Sequence, residues 1–315
     1  MMKMTLAGEA DIQQFASGAS VAPGVAIRTR LADYLILTKP RIAVMALFTV
    51  AAGYWLGAGD DAGSRVLLNT LLGAGLVAAG GSALNQVFER RTDARMRRTA
   101  NRPIPAGRVS VEHATAFGAI TSGVGLAYLM ATVPPAATLA AALTLVFYAL
   151  IYTPMKTMTQ WNTVVGAVPG ALPPVIGWCA ARGWDGAGGA TALFLLLFVW
   201  QLPHFLAIAW MYRNDYAGAG LQMLPGTDPT GKRTAVVMVV TAAALIPVGF
   251  FAVWVGLAGW LYAVGATLLG IMFVRKTLGF ARDRSDRQAR RVLRASLVYL
   301  PGVLVLLLID ALLVK

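Results

Sequence analysis

The chain has 315 residues, 57% of them hydrophobic and 13% charged, with a mean hydropathy of +0.65, a balance that excludes a water-soluble globular protein and leaves an integral membrane protein. Its formal charge of +13 does not point to nucleic acid, because no basic stretch is interleaved with aromatics as such a surface requires. The single cysteine, Cys179, excludes an intrachain disulfide framework and a cysteine metal cluster, and is read as packing.

The opening 28 residues carry Glu9 and Asp11 and lack an apolar core, so they read as neither a signal peptide nor an amphipathic anchor. Residues 1–30 are expected to form a disordered cytoplasmic tail, and residues 31–315 a single intramembrane domain. Nine apolar segments follow, near 42–58, 66–88, 114–132, 136–153, 163–181, 190–212, 235–255, 257–274 and 293–313. Each approaches the roughly 20 helical residues that cross a hydrocarbon core of about 30 Å. The 33 glycines and abundant alanines suit helices that must approach closely in lipid. The predicted fold class is an all-α integral membrane protein, a bundle of about nine transmembrane helices with a cytoplasm-facing active-site chamber.

Basic residues stay on the cytoplasmic side of a bacterial inner membrane, most reliably in short loops. With an inside N-terminus, that side collects all but three of the 27 Lys and Arg, leaving Arg65, Arg182 and Lys315 for the other face. The cluster between Arg275 and Arg294 is accounted for by this bias and by attraction to anionic lipid head groups.

Three polar constellations interrupt the apolar pattern. The first is at the end of the second segment, where Asn85, Glu89 and Asp93 stand four residues apart. If the helix continues, they form a ladder on one face, each rung about 6 Å beyond the last. Amide and carboxylate oxygens are ligands for Mg2+, which keeps coordination positions for substrate phosphates; the plainer reading is a solvated helix end. The loop beyond carries Arg97, Arg98 and Arg102, and its Pro103, Pro105 and Gly107 end the helix and could fold the arginines back over a diphosphate.

The second constellation is Tyr152-Thr-Pro-Met-Lys156, followed by Asn162. Lys156 is the only basic residue of its loop, a point-charge donor to phosphate or a lysine snorkelling to the interface. The Gly166–Pro174 run, with prolines at 169, 173 and 174, is expected to break its helix and line the substrate chamber. The third is Gln201-Leu-Pro-His204, running on to Arg213-Asn-Asp215. A histidine inside a span is a functional candidate, here for a haem iron, a propionate or an interhelical hydrogen bond. Asp215 would complete a second cation site opposite Asp93, whereas His113 reads as surface.

The Asn-x3-acid-x3-Asp ladder resembles the first aspartate-rich motif of the UbiA-type intramembrane prenyltransferases. Three longer blocks, Asp93 to Gly107, Trp161 to Trp178 and Pro203 to Pro225, are similar to the branch of that family that farnesylates haem b. The resemblance covers about residues 30–312. It implies transfer of the farnesyl group of farnesyl diphosphate to a vinyl group of haem b, forming haem O for terminal oxidases, with haem as substrate rather than prosthetic group. It further implies Mg2+ on Asn85, Glu89, Asp93 and Asp215, and diphosphate on Lys156, Arg97, Arg98, Arg102 and Arg41. Tyr152, Asn162, His204 and Arg213 complete the expected substrate-binding set, and a haem A synthase or oxidase assembly is the expected recipient. Glu89 stands where aspartate is usual, Asp215 is a single acid where two are common, and Thr157 replaces a frequent arginine.

Two alternatives belong beside this reading. Another UbiA-type enzyme would prenylate an aromatic acid or quinone precursor. A secondary transporter would place its acids near midplane in matching inverted halves, whereas here they gather at one end.

Overall fold

The structure, a computed structural model, describes residues 23–59 and 63–313. Most of the tail expected over 1–30, and Lys315, lie outside the described residues. The described part is helical, beginning with α1 (Pro23–Leu37) and continuing through nine longer helices: α2 (Pro40–Ala58), α3 (Ser64–Asp93), α4 (Val111–Thr132), α5 (Pro135–Met155), α6 (Asn162–Arg182), α7 (Ala187–Met211), α8 (Lys232–Trp254), α9 (Trp260–Arg282) and α10 (Asp286–Leu313). Among the described residues these nine are long and apolar enough to cross a membrane. They match the nine predicted segments one for one. α3, α9 and α10 run past the predicted ends because charged residues need not stop a helix once it leaves the hydrocarbon.

The basic loops fall at one end of the bundle. Exposed Trp55, Trp184, Trp254 and Trp260 gather near the other ends of the same helices, as the amphipathic indole does at a membrane interface. Leu, Ile, Val and Phe side chains exposed along α2, α4, α8, α9 and α10 face outward, which is stable where the surroundings are lipid.

The core has two main clusters. One gathers around Val50, Tyr54, Val77, Leu129 and Ile176 from the first half. The other gathers around Leu197, Met238, Tyr262, Phe273 and Tyr299 from the second. α6 joins them and is the most buried of the nine spans. Its prolines do not break it: Pro169, Pro173 and Pro174 all lie inside a continuous helix. Each proline removes one ladder N–H, and the helix is held within protein rather than lipid over this stretch. Gln201 of α7 also donates to the carbonyl of Ala167 on α6.

Contact between α2 and α6 is backbone on backbone. A Cβ on Gly53 would strike the Pro174 carbonyl, and one on Gly177 would strike the Val50 carbonyl. Gly80 of α3 meets Gly118 and Ser122 of α4 in the same way. Helices in lipid gain little from apolar burial between them, so close approach and dispersion hold them together. At the tryptophan-rich end, buried Asp310 of α10 accepts the N–H groups of Gly259 and Tyr262, which satisfies donors at the start of α9 that have no partner within the helix.

Replacing Gly177 by alanine forces a methyl group into a backbone carbonyl that cannot move aside, and overpacking of this kind costs about 1–3 kcal/mol. The variant is expected to melt several degrees lower in detergent by tryptophan fluorescence. Gly123→Ala, where a Cβ meets nothing within 4 Å, is the control and should melt like the parent.

Candidate active site

α3 stays helical through Asp93, so Asn85, Glu89 and Asp93 do share one face at its end. Asn85 and Asp93 are almost fully buried. The Glu89 and Asp93 carboxylates, one turn apart, repel each other and have lost most of their water, so they need opposing charge. Each rung of the ladder meets its own cation. Lys39 Nζ donates to Asn85 Oδ1 at 2.6 Å, Lys156 Nζ to Glu89 Oε1 at 2.5 Å, and Arg102 Nη1 to Asp93 Oδ2 at 2.6 Å, lying also 3.7 Å from Glu89 Oε2.

The three cations arrive from three separate connections. Lys156 ends α5, whose last part, Val146–Tyr152, winds as a π-helix just before Pro154, a residue with no N–H to give. This wide segment presents Tyr148 and Tyr152, stacked with ring centres 6.2 Å apart. The Lys156 ammonium lies 4.3 Å from the Tyr152 ring centre and that of Lys39 5.9 Å from the Tyr148 ring centre, both cation–π contacts. Thr153 ties the segment to α3, accepting from Asn85 Nδ2 at 2.9 Å and donating to the Tyr148 carbonyl. A Cβ on Gly166 would lie 2.5 Å from the Tyr152 ring, so only glycine lets α6 back this tyrosine. Burial alone would push the Lys156 ammonium down, but the Glu89 carboxylate more than offsets that and holds it above the ordinary lysine range.

Arg102 is aimed by the loop after α3. Thr99 donates to the Asp93 carbonyl, Arg108 pairs with Asp33 of α1 at 2.9 Å, and Gly107 makes the turn with φ +71°, a left-handed value suited to glycine. Lys39 is aimed by its own backbone. At φ 49° and ψ 58° it is the one non-glycine residue in the left-handed region among those described, a conformation costing about 1–2 kcal/mol.

The remaining predicted residues divide between this cluster, the adjoining loops and, for His204, the interior of α7. Tyr152 belongs to the cluster. Asn162 is buried and uses its amide to clamp the carbonyls of Gln222 and Thr159 at 2.7 and 2.6 Å, while the Gln222 N–H donates to the Lys156 carbonyl. Arg41 and Arg97 are exposed and make no ion pair among the described residues. Arg98 lies over the Tyr212 ring at 5.7 Å. Arg213 turns to Asp286 of α10 at 2.7 Å. Asp215 is exposed on the short helical stretch Arg213–Gly218, again with no ion pair among the described residues. Met96 packs with Ala219, Leu221 and Met223, so the Asp93 loop and the Asp215 segment lie side by side. His204 bonds Ser296 of α10 through Nδ1 at 2.7 Å and stacks on Trp200, an interhelical hydrogen bond.

Lys39, Tyr148 and Thr153 were not singled out from sequence. Tyr148 stands four residues before Tyr152 and eight before Lys156, a spacing that repeats the ladder's own and was the available signal. For Lys39 the signal was only its place within Thr38-Lys-Pro-Arg41.

The donor set suits a hard divalent cation. Asp93 Oδ1 is buried with no hydrogen-bond partner, an orphaned acceptor one helical turn from the Glu89 carboxylate, and Mg2+ takes one or two carboxylates together with substrate oxygens. Among the described residues no three His, Cys, Asp or Glu side chains converge, so further ligands would have to come from the amide of Asn85, the substrate or water. Removing Lys156 should expose the energetics of the cluster, since it leaves Glu89 only the more distant Arg102, at 3.7 Å, and breaking a buried pair costs about 3 kcal/mol. Lys156→Met is expected to lower the melting temperature by several degrees. Adding Glu89→Gln to the same chain should recover at least half of that loss, and an unchanged melt for the single variant would show that the pair carries no stability.

Known proteins resemble this chain in sequence and in fold. The UbiA prenyltransferase family matches residues 46–298. The chain is 45% identical over 291 residues to the protoheme IX farnesyltransferase of Solibacter usitatus, covering 88% of this chain and 98% of that protein. To that of Salinibacter ruber it is 46% identical over 278 residues, again 88% and 98%. In fold it is similar to a digeranylgeranylglyceryl phosphate synthase, with a TM-score of 0.77 over 90% of this chain and 99% of that one at 17% identity. It is also similar to a UbiA homolog from Archaeoglobus fulgidus bound to GPP and Mg2+, with a TM-score of 0.61 over 87% and 99% at 17% identity. On the extent of the family match and the identity to these relatives, the chain belongs to the UbiA prenyltransferase family.

Proposed function

We propose that this chain transfers the farnesyl group of farnesyl diphosphate to a vinyl group of haem b, forming haem O and releasing diphosphate. The observation that carries the chemistry is the oxygen ladder with a cation at every rung, three positive and two negative side chains at the end of one helix. The acceptor is supported by the relatives, which share 45–46% of their residues with this chain over nearly their full length and are named for protohaem IX.

Asn85, Glu89 and Asp93 would hold Mg2+ against the diphosphate, with Asp215 the candidate for a second site. When bound, the metal supplies Lewis-acid stabilisation of the charge that develops on the leaving group. Lys156 and Arg102 are positioned to do the same from the protein side, as fixed cations that need no reorganisation when the allylic C–O bond breaks. Arg97, Arg98 and Arg41 line the approach. Tyr148 and Tyr152 offer π-faces where an allylic cation would be stabilised and water excluded. The terminal vinyl carbon then bonds to C1 of the farnesyl cation. Water adds to the carbon left positive and gives up a proton, producing the hydroxyethylfarnesyl side chain. His204 and Arg213 are assigned to the acceptor side. The basic end of the bundle is the cytoplasmic one in this reading, where diphosphate substrates are available, and the protein resides in a bacterial inner membrane.

Purified protein given haem b, farnesyl diphosphate and Mg2+ should yield haem O by mass analysis, and chelating the metal should stop it. Asp93→Asn is expected to lower turnover by about 100-fold or more while the protein remains folded in the membrane. Near-parental turnover of that variant at saturating Mg2+ would sink the assignment.

A further inference from the structure

Away from the diphosphate cluster, a second polar group is built where α7 meets α10. Trp200 Nε1 donates to the Ser296 carbonyl at 2.9 Å, the His204 ring stacks on Trp200 with centres 4.9 Å apart, and His204 Nδ1 lies 2.7 Å from the hydroxyl of buried Ser296. That hydroxyl donates in turn to the Leu293 carbonyl at 2.6 Å.

These two short contacts decide where the imidazole proton sits. Polar atoms so close need a hydrogen between them, a carbonyl has none to give, and a serine hydroxyl has only one. The serine proton is therefore committed to Leu293, and the other contact is made by the histidine's own Nδ1–H. With no carboxylate paired to His204 among the described residues to hold a second proton, the ring is a neutral imidazole whose Nε2 carries a bare lone pair. Among the described residues Ser296 is its one hydrogen-bond partner, through Nδ1.

The ring faces the interior of the bundle. Gln201 and Trp200, three and four residues before His204, share its face of α7, and they bond α6 and α10 respectively. α2 touches α6, α7 and α10, closing the angle between them. His204 is half-buried there, two turns or about 10 Å from the basic end of α7.

We propose that His204 Nε2 is an axial ligand to the iron of haem b when haem enters as acceptor, and that Ser296 is the positioning residue that fixes its tautomer and orientation. A neutral imidazole whose far nitrogen donates to an oxygen is the form in which proteins present histidine to a metal. The bond holds the macrocycle by its centre and leaves the vinyl groups at its edge free to react. The proposal rests on the haem-farnesylation reading above and adds to it the atom that holds the acceptor.

The test titrates ferric haem b and, in parallel, iron-free protoporphyrin IX into the purified full-length protein in nanodiscs without farnesyl diphosphate, and reduces the haem complex for resonance Raman spectroscopy. The parent should bind haem b more tightly than protoporphyrin IX and show an iron–histidine stretching band. His204→Asn, whose amide can still donate to Ser296, should lose that band and bind haem b no more tightly than protoporphyrin IX, whose affinity stays parental. Ser296→Ala should weaken haem b binding roughly 10- to 100-fold and move the band to lower frequency. A parental band in His204→Asn overturns the proposal, as does an equal loss of affinity for both porphyrins, which marks a packing contact. Parental haem b affinity with an unmoved band in Ser296→Ala overturns the positioning role. Should His204→Asn fail to fold, His204→Gln decides by the same criteria. If the parent binds neither porphyrin, the haem-farnesylation reading falls as well, whereas haem O formation by a parent protein whose haem complex lacks the band sinks the His204 role alone.

Discussion

Two carboxylates at the end of a membrane helix cannot stand there alone, and the cations that answer them organise the surrounding structure. Glu89 and Asp93 have lost most of their contact with water, where a lone charge costs several kcal/mol. Arg102 can reach Asp93 only if the loop after α3 folds back, so that loop buries Met96, Ile104 and Val109 and fastens itself to α1 through Arg108 and Asp33. Lys156 can reach Glu89 only if α5 ends where it does, and the Lys156 carbonyl then anchors the Gln222 segment that Asn162 clamps from below. One electrostatic requirement thus sets the path of three connections.

Behind the cluster the bundle has to be stiff, and small residues make it so. α6 touches α2 through glycine against backbone and lies under Tyr152 through Gly166. Larger side chains at those places would hold the helices apart, and the tyrosines facing the ladder would lose their backing.

Much of this was legible in the sequence because it depends on periodicity. Hydrophobic segment length gave the nine spans, and spacing by four gave the ladder once the helix was assumed to continue. What depends on direction was not legible. Arg41 and Lys39 are two residues apart, and only the left-handed backbone at Lys39, a property of that peptide unit in its folded setting, decides which of them meets Asn85. The Gly166–Pro174 run was expected to break its helix because proline does so in isolation, and tertiary packing overrode that preference. Arg213 pairs with Asp286, 73 residues further along the chain, a partner at a distance no local pattern reports. The π-wound turn that brings Tyr148 beside Tyr152 left no signal apart from Pro154.

The pairing of every rung with a cation bears on the end of the reaction as well as its start. A site that gripped diphosphate with cations that had no other partner would hold its product as firmly as its substrate, and release would limit turnover. Here each cation has an internal acceptor within bonding distance, whether Asn85, Glu89 or Asp93. In the proposed reaction, those acceptors would compete with the departing diphosphate for the same three side chains once the organic chain has been transferred. A ladder that helped to capture the anion would thereby also compete to dislodge it.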